Sequence, residues 1–328
     1  MTRRILIHIG MMKAASSWFQ HSLSENRHVT RVVANQLDPH IGQMWQDDPR
    51  GGLSNGFTET LRRALAERLA TIPGDVVVTS ERLLKGAKGR NVEALYFERL
   101  GQIADAFAAL GEPVQVMAFT RAPDAWISSV YQQMIKTGQF HGTFPALQDS
   151  WRDFLTGPLS FDRVGDIFRE RLGDSGFMAM PSEVFRSQYE VGFGWIEDFS
   201  GLSLKIKDAK RLKTNPSVDP MEIELIRWVH RFRHAYARSA GVASENSDVR
   251  VNEMRMAFRR FVGAAVEPNG RHHAQLRDML KTMMPGLDIG AFTPDAALLA
   301  EVRGRMSRTL ANPRYDDFRD LYLKGRQG

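Results

Sequence analysis

An α/β fold is predicted: a central parallel sheet flanked by helices, followed by a mostly helical C-terminal extension. Two observations predict it. Over residues 1 to about 200, short apolar runs closed by breakers alternate with amphipathic stretches of helix length. Beyond about residue 218 the strand-like runs stop. Strands separated by helices imply βαβ units, and βαβ units imply a parallel sheet.

The elements follow in order. Arg4 to Ile9 is a compact apolar run ended by Gly10, which reads as a buried strand. Ala14 to Ser24 has helix-compatible composition. Glu59 to Thr71 places Leu61, Leu65 and Leu69 at helical spacing. The breaker pair Pro73-Gly74 precedes Asp75 to Ser80, a β-branched second strand. Asn91 to Leu110 is a helix with Leu95, Leu100, Ile103 and Phe107 among its apolar positions, and Gly111-Glu-Pro113 ends it. Val114 to Thr120 is a third strand, closed by Arg121-Ala-Pro123. A helix runs from near Asp124 to about Lys136, and Gly176 to Met180 reads as a fourth strand. In the C-terminal region Pro220 to Ser239, Val251 to Val266, His273 to Met284 and Pro294 to Leu323 read as helical. Ala243 to Val249 is the expected mobile loop. The expected division is a core over residues 1–217 and a helical region over 218–328, packed on the core and shaping an acceptor site.

Composition narrows the chemistry. The chain has 328 residues, is 43% hydrophobic and 25% charged, and carries a formal net charge of +6. Such values belong to a globular chain, not to disorder, collagen or coiled coil. It contains no cysteine, which excludes disulfides, zinc–thiolate sites, iron–sulfur clusters and cysteine nucleophiles. The positive charge makes an anionic partner plausible without choosing among nucleic acid, membrane surface and phosphorylated small molecules. Ile5 to Met12 is short, contains His8 and meets Lys13, so it does not read as a signal peptide. No apolar run approaches the roughly 18 to 20 residues of a transmembrane helix, and a cytoplasmic location is expected.

Two segments carry chemistry. The first strand-to-helix turn reads Gly10-Met-Met-Lys13-Ala14-Ala15-Ser16-Ser17-Trp18. Such a turn presents backbone N–H groups at a helix N-terminus, a ready anion site. Lys13 adds a charge, and Ser16 and Ser17 add hydroxyls; a plain N-cap beside a solvated lysine is the alternative. Lys13 is not followed at once by Ser or Thr, so the Walker A pattern is not met. At the end of the third strand stands Arg121, with Ser129 on the following helix. Ligands of open parallel sheets bind at the carboxyl ends of strands, so this Arg and Ser suit a second phosphate clamp. A salt-bridged loop arginine is the alternative.

Taken together, the two segments resemble the PAPS-dependent sulfotransferases. Strand-Gly10-x-x-Lys13-x-x-Ser16-Ser17 is similar to that family's 5′-phosphosulfate loop. Phe119-Thr-Arg121-Ala-Pro123 with Ser129 and Tyr131 is similar to its 3′-phosphate motif. More weakly, the segment from Met180-Pro-Ser-Glu183 through Phe199-Ser-Gly201 resembles the family's late strand and the helix after it, and Lys213 to Ser217 is similar to the polar loop before its C-terminal helices. Ala14-Ala15 stands where Thr-Gly is frequent in the family, which removes a hydroxyl and a permissive glycine. The resemblance covers roughly residues 3 to 230.

The resemblance implies a P-loop NTPase-like three-layer fold that binds 3′-phosphoadenosine 5′-phosphosulfate (PAPS) and yields 3′,5′-ADP. Sulfuryl transfer makes demands like those of phosphoryl transfer: positioning, charge stabilisation and a base. Gly10, Lys13, Ala14, Ala15, Ser16, Ser17 and Trp18 would hold the 5′ end, with Lys13 stabilising the leaving phosphate. Arg121 and Ser129 would hold the 3′-phosphate, with help from the basic segment around Arg211. Glu81, at the end of the second strand, is the first candidate base and His141 the second. No metal is required. The acceptor would be a small molecule, a carbohydrate or a lipid headgroup, and no nucleic acid is expected. A non-catalytic nucleotide- or nucleic-acid-binding protein and a divergent P-loop kinase are the competing readings.

The remaining features read as structural. His8 is expected in the core, His21 within the first helix, and His272-His273 in the helical tail. Arg227, Arg231, Arg233 and Arg238 recur with Trp228, Phe232 and Tyr236, as on an amphipathic helix with snorkelling arginines. The fifteen methionines read as core filler. Trp45, Phe140 to Phe144 and Trp151 are candidates to stack on a sugar or enclose an apolar acceptor.

Overall fold

The computed structural model describes residues 3–11, 13–14, 16–24, 29–33, 56–80, 83–84, 92–204, 220–240 and 292–325, with isolated positions between 275 and 282. Five parallel strands form one sheet: β1 (Ile5–His8), β2 (Thr30–Val33), β3 (Val76–Thr79), β4 (Val114–Thr120) and β5 (Phe177–Pro181). Their order is β2-β3-β1-β4-β5. Ile5 pairs with Val76 on one side and Val114 on the other, and Thr30 pairs with Val76. Two of the three interior strands, β1 and β3, are buried at every position. That is why they read as unbroken apolar runs rather than alternating ones.

Helices flank the sheet and complete a three-layer α/β fold. In chain order these are α1 (Ser16–Ser24), α2 (Phe57–Ala70), α3 (Glu93–Ala108), α4 (Pro123–Lys136), α5 (Phe144–Ser150), α6 (Arg152–Leu159), α7 (Phe161–Leu172), α8 (Val184–Ser187) and α9 (Tyr189–Ser200). Then come α10 (Pro220–Ala240), α11 (Ala296–Gly304), α12 (Ser307–Leu310), a 3₁₀ turn over Pro313–Phe318 and α13 (Arg319–Lys324). α2 buries Phe57, Leu61, Leu65 and Leu69, one apolar stripe at four-residue spacing. It packs on α3, which packs on α6 and α7. On α1, Trp18 stacks against Phe185 (4.8 Å) and Phe193 (5.4 Å), which ties α1 to α8 and α9. Among the described residues no helix is long and apolar enough to cross a membrane.

Some expectations meet a different outcome. β2 and the helices α5 to α7 have no counterpart in the sequence reading. The single helix expected over Pro294 to Leu323 is broken into shorter pieces. Asp295 caps α11, Gly304 ends it, and Asn312 with Pro313 starts the 3₁₀ turn. The helices expected over Val251–Val266 and His273–Met284, the loop Ala243–Val249 and the pair His272-His273 lie outside the described residues, isolated positions aside. Met117, Met134, Met180 and Met306 are buried in the core as expected.

The chain divides into two compact units. The first comprises residues 1–126, 148–214 and 295–328, and it contains the whole sheet. The second comprises residues 127–147 and 215–294. In the second unit Tyr131, Phe144 and Phe292 form one aromatic cluster, with ring centroids 4.8 to 5.7 Å apart. Beside it Arg227 Nε donates to Glu224 Oε2 (2.7 Å), and Tyr131 donates its hydroxyl hydrogen to Glu224 Oε1 (3.0 Å). Both charged residues are only 1% exposed. Arg227 is therefore a buried, paired arginine and not the snorkelling one its helical spacing suggested. Arg231 is exposed and lies over the Trp228 ring.

Candidate active site

The chain leaves β1 toward β2 on one side of the sheet and leaves β4 toward β5 on the other. β1 and β4 are neighbours, so the connections diverge between them. This is the topological switch point, where open α/β sheets leave a crevice at the carboxyl ends of the strands. The turn from β1 into α1 and the Arg121 turn after β4 both start there.

The first turn is anchored on both sides. Ile9 N–H donates to Met117 O (3.0 Å), and Gly10 O accepts from Phe119 N–H (2.9 Å). On the other side Ser80 N–H donates to His8 O (2.8 Å) and Leu84 N–H to Ile9 O (2.9 Å). Gly10 sits at φ 122, a conformation that only glycine adopts cheaply. Lys13 sits at φ 65, in the left-handed region where a side chain costs about 1–2 kcal/mol. Ser16, at the start of α1, donates its hydroxyl to Met11 O (2.9 Å), and Ala14 N–H donates to the same carbonyl (3.3 Å). The second turn closes on the first: Arg121 Nη1 donates to Lys13 O (2.7 Å). One arginine thus holds the carbonyl of the strained lysine, and the two turns meet at the carboxyl ends of β1 and β4. Past the turn, the first N–H groups of α1 have no partner within the helix. An arginine, a lysine and a helix N-terminus are the donor types that an anion with more than one charged end requires.

His8 lies beneath this turn and is fully buried. Its ring packs on Phe119 (4.7 Å) and edge-on to Phe19 (5.4 Å). Burial pushes its pKa down to about 3, with the Gly10 backbone opposing weakly. It is a neutral core histidine, as the sequence suggested.

The predicted residues fall into three groups. Gly10, Lys13, Ala14, Ser16 and Arg121 come together in the first unit. Trp18 is in the same unit, its ring packed on Phe185 and Phe193. Ser17 lies on the first turn of α1. Ser129 and His141 belong to the second unit, Ser129 on α4 and His141 exposed in the loop after it. Ala15, Glu81 and Arg211 lie outside the described residues, as does Trp45. His21 is exposed in the last turn of α1. Phe144 is buried in the second unit's aromatic cluster, and Trp151 packs on Phe154 in the first.

The structure adds residues that sequence reasoning missed. Thr120 Oγ1, at the last position of β4, lies 2.9 Å from the Tyr315 hydroxyl and 2.8 Å from the Tyr322 hydroxyl. Tyr322 donates to Glu183 Oε2 (2.7 Å), and Glu183 Oε1 accepts from Ala122 N–H (3.2 Å). All five positions are buried. Thr120, Ala122 and Glu183 stood within segments the sequence singled out, whereas Tyr315 and Tyr322 did not. Among the described residues no group of three or more His, Asp or Glu is placed to hold a metal.

No protein-family model matches this sequence, and no curated protein matches it in sequence. Among solved structures, it is similar to a sulfotransferase from Alicyclobacillus acidocaldarius, with 14% identity and a TM-score of 0.45. That likeness covers 71% of this chain and 94% of the other. A second similar structure is the sulfotransferase domain from the curacin biosynthetic pathway, with 13% identity and a TM-score of 0.36. It covers 64% of this chain and 80% of that one.

Proposed function

We propose that this chain is a PAPS-dependent sulfotransferase. It moves a sulfuryl group from PAPS to a hydroxyl or amine of a small-molecule, carbohydrate or lipid-headgroup acceptor and releases 3′,5′-ADP. The bond from Arg121 to the Lys13 carbonyl, made at the switch point of the sheet, carries this reading. It joins the two segments whose spacing resembles the family's two phosphate motifs.

The donor set fits a nucleotide with a phosphate at each end. Lys13 and the N–H groups at the start of α1 would receive the 5′ end. Gly10 lets the backbone approach closely, Ala14 keeps the turn small, and Ala15 would add its backbone N–H. Ser16 donates its hydroxyl to Met11 O, so its contribution is to shape the turn. Ser17 would add a hydroxyl to the 5′ end, and Trp18 would fix α1 through its packing. Arg121 would hold the 3′-phosphate with Ser129, and Arg211 would add charge. As the bond from sulfur to the bridging oxygen breaks, negative charge builds on the departing phosphate, and Lys13 is the group to stabilise it. The acceptor oxygen or nitrogen loses its proton to Glu81, or to His141 in its place, as its bond to sulfur forms. This scheme needs no metal.

Thermal unfolding with 3′,5′-ADP against ATP tests the proposal. Stabilisation by 3′,5′-ADP at concentrations where ATP has no effect is expected, because a ligand that binds only the folded state raises its melting point. Stabilisation by ATP with Mg²⁺ alone would sink the reading and favour a kinase. Salt-sensitive binding of nucleic acid without any small-nucleotide preference would favour the non-catalytic alternative. Glu81→Ala is expected to keep 3′,5′-ADP binding and to lose sulfuryl transfer; full turnover would shift the base role to His141.

A further inference from the structure

We propose that the C-terminal segment is part of the nucleotide site: Tyr322, with Tyr315 behind it, fixes the Thr120–Ala122 turn and so aims Arg121. This rests on the reading of Arg121 as the 3′-phosphate group. The two tyrosines and Glu183 are positioning residues.

Arg121 stands between two residues that one buried network holds. Thr120 is held by its hydroxyl and Ala122 by its backbone N–H. Counting hydrogens gives the network a direction. A phenol has one hydrogen, and Tyr322 gives its own to Glu183. Thr120 must then donate to the Tyr322 oxygen, and Tyr315 must donate to Thr120. The chain runs Tyr315 to Thr120 to Tyr322 to Glu183, and the second carboxylate oxygen accepts from Ala122. The Met180 carbonyl, 3.3 Å from Thr120 Oγ1, is the longer contact. Thr120 O also accepts from Ser182 N–H (2.9 Å), which ties the end of β4 to β5. Burial raises both phenols well above their ordinary value, so both keep the hydrogens this direction requires.

The segment that supplies the phenols is itself fastened. Arg303 Nε on α11 donates to Tyr322 O (3.1 Å), and the two tyrosine rings meet edge to face at 5.5 Å. Without the Tyr322 hydroxyl, Glu183 Oε2 keeps only the longer contact to the Ser182 hydroxyl (3.4 Å), and Thr120 keeps only the longer contact to Met180 O (3.3 Å) as its acceptor. Leaving a buried polar group unsatisfied costs more than the hydrogen bond was worth. The turn then relaxes, and a guanidinium at its centre loses its aim at a phosphate. Small misplacements of a positioning group are enough to weaken recognition strongly.

The test compares affinities for 3′,5′-ADP and 5′-AMP in the wild type, Tyr322→Phe and Tyr315→Phe. The ratio of the two affinities isolates the 3′-phosphate. In Tyr322→Phe it is expected to fall about tenfold, through 3′,5′-ADP alone. In Tyr315→Phe it should fall about threefold, because that hydroxyl is farther along the chain from Ala122. A purely structural role would lower the melting point and leave the ratio unchanged, and that result overturns the inference. So does an equal loss of both nucleotides. If Tyr322→Phe does not fold, Tyr315→Phe decides by the same ratio. A wild type that does not distinguish the two nucleotides overturns the sulfotransferase reading instead, which separates the two failures.

Discussion

The two ends of the sheet in the first unit both carry cations, and they use them differently. At the N-terminal ends of β1, β4 and β5 a cavity of about 890 Å³ is lined by Arg3, Arg4 and Arg171. There Arg3 donates to Glu112 (2.7 Å) and to Ile72 O (3.1 Å), Arg4 donates to Gly201 O, and Arg171 donates to Asp105 (2.6 Å). Two of these three arginines, Arg3 and Arg171, are thus paired with carboxylates of the fold. At the C-terminal ends the arrangement is of another kind. Arg121 grips the carbonyl of Lys13, and Lys13 is held in a left-handed conformation between a glycine and a helix N-terminus. On the proposed reading, the direction of the strands and not the volume of the cavity marks the ligand-binding end.

The largest effect expected from this contrast is on nucleotide binding. Lys13→Ala and Arg121→Ala should each weaken 3′,5′-ADP by roughly 10- to 100-fold, the worth of one charge-assisted hydrogen bond. Arg4→Ala and Arg171→Ala should leave the affinity within about twofold, since exposed or half-buried pairs contribute little. Calorimetry on the four variants checks this, and a loss at the N-terminal end would break the contrast.

The next effect is on acid stability. His8 has a folded-state pKa of about 3 against 6.5 for the free group. The unfolded chain therefore binds a proton that the folded chain does not between those values. Stability is full above pH 6.5 and declines as pH falls toward 3, by up to ~1.4 kcal/mol per pH unit. Denaturant unfolding at several pH values should show a shallower decline in His8→Leu. An identical slope in both would refute the assignment.

Smaller effects follow. Lys13→Gly should be more stable than Lys13→Ala by about 1 kcal/mol, since only glycine occupies a φ of 65 without cost. Equal stabilities would show that the turn is not strained. At the other end, a double-mutant cycle on Arg3 and Glu112 should give a coupling of at most about 1 kcal/mol. A much larger value would mean that the N-terminal end depends on its charges as much as the crevice does.

Sequence periodicity made four of the five strands legible, because each is a run of apolar residues bounded by a breaker. β2 was not legible. It is a four-residue edge strand, Thr30-Arg-Val-Val33, that gains its identity only by pairing with Val76 to Thr79. Lys13 and Arg121 were legible because motif spacing is local on each side of a crevice that the parallel sheet assembles. Tyr315 and Tyr322 were not, since they join Thr120 from 195 and 202 positions away, and no local pattern marks them. Arg227 misled for the same reason. Its helical spacing is that of a surface residue, and only the tertiary packing around Glu224 and Tyr131 buries it.

Hydrogen exchange with and without 3′,5′-ADP tests the central claim most directly, because it reads both ends of the sheet in one measurement. The ligand is expected to slow exchange over residues 10–18 and 119–124 and to leave 108–115 and 168–176 unchanged. Protection confined to 108–115 and 168–176 would place the ligand at the N-terminal end and contradict the account.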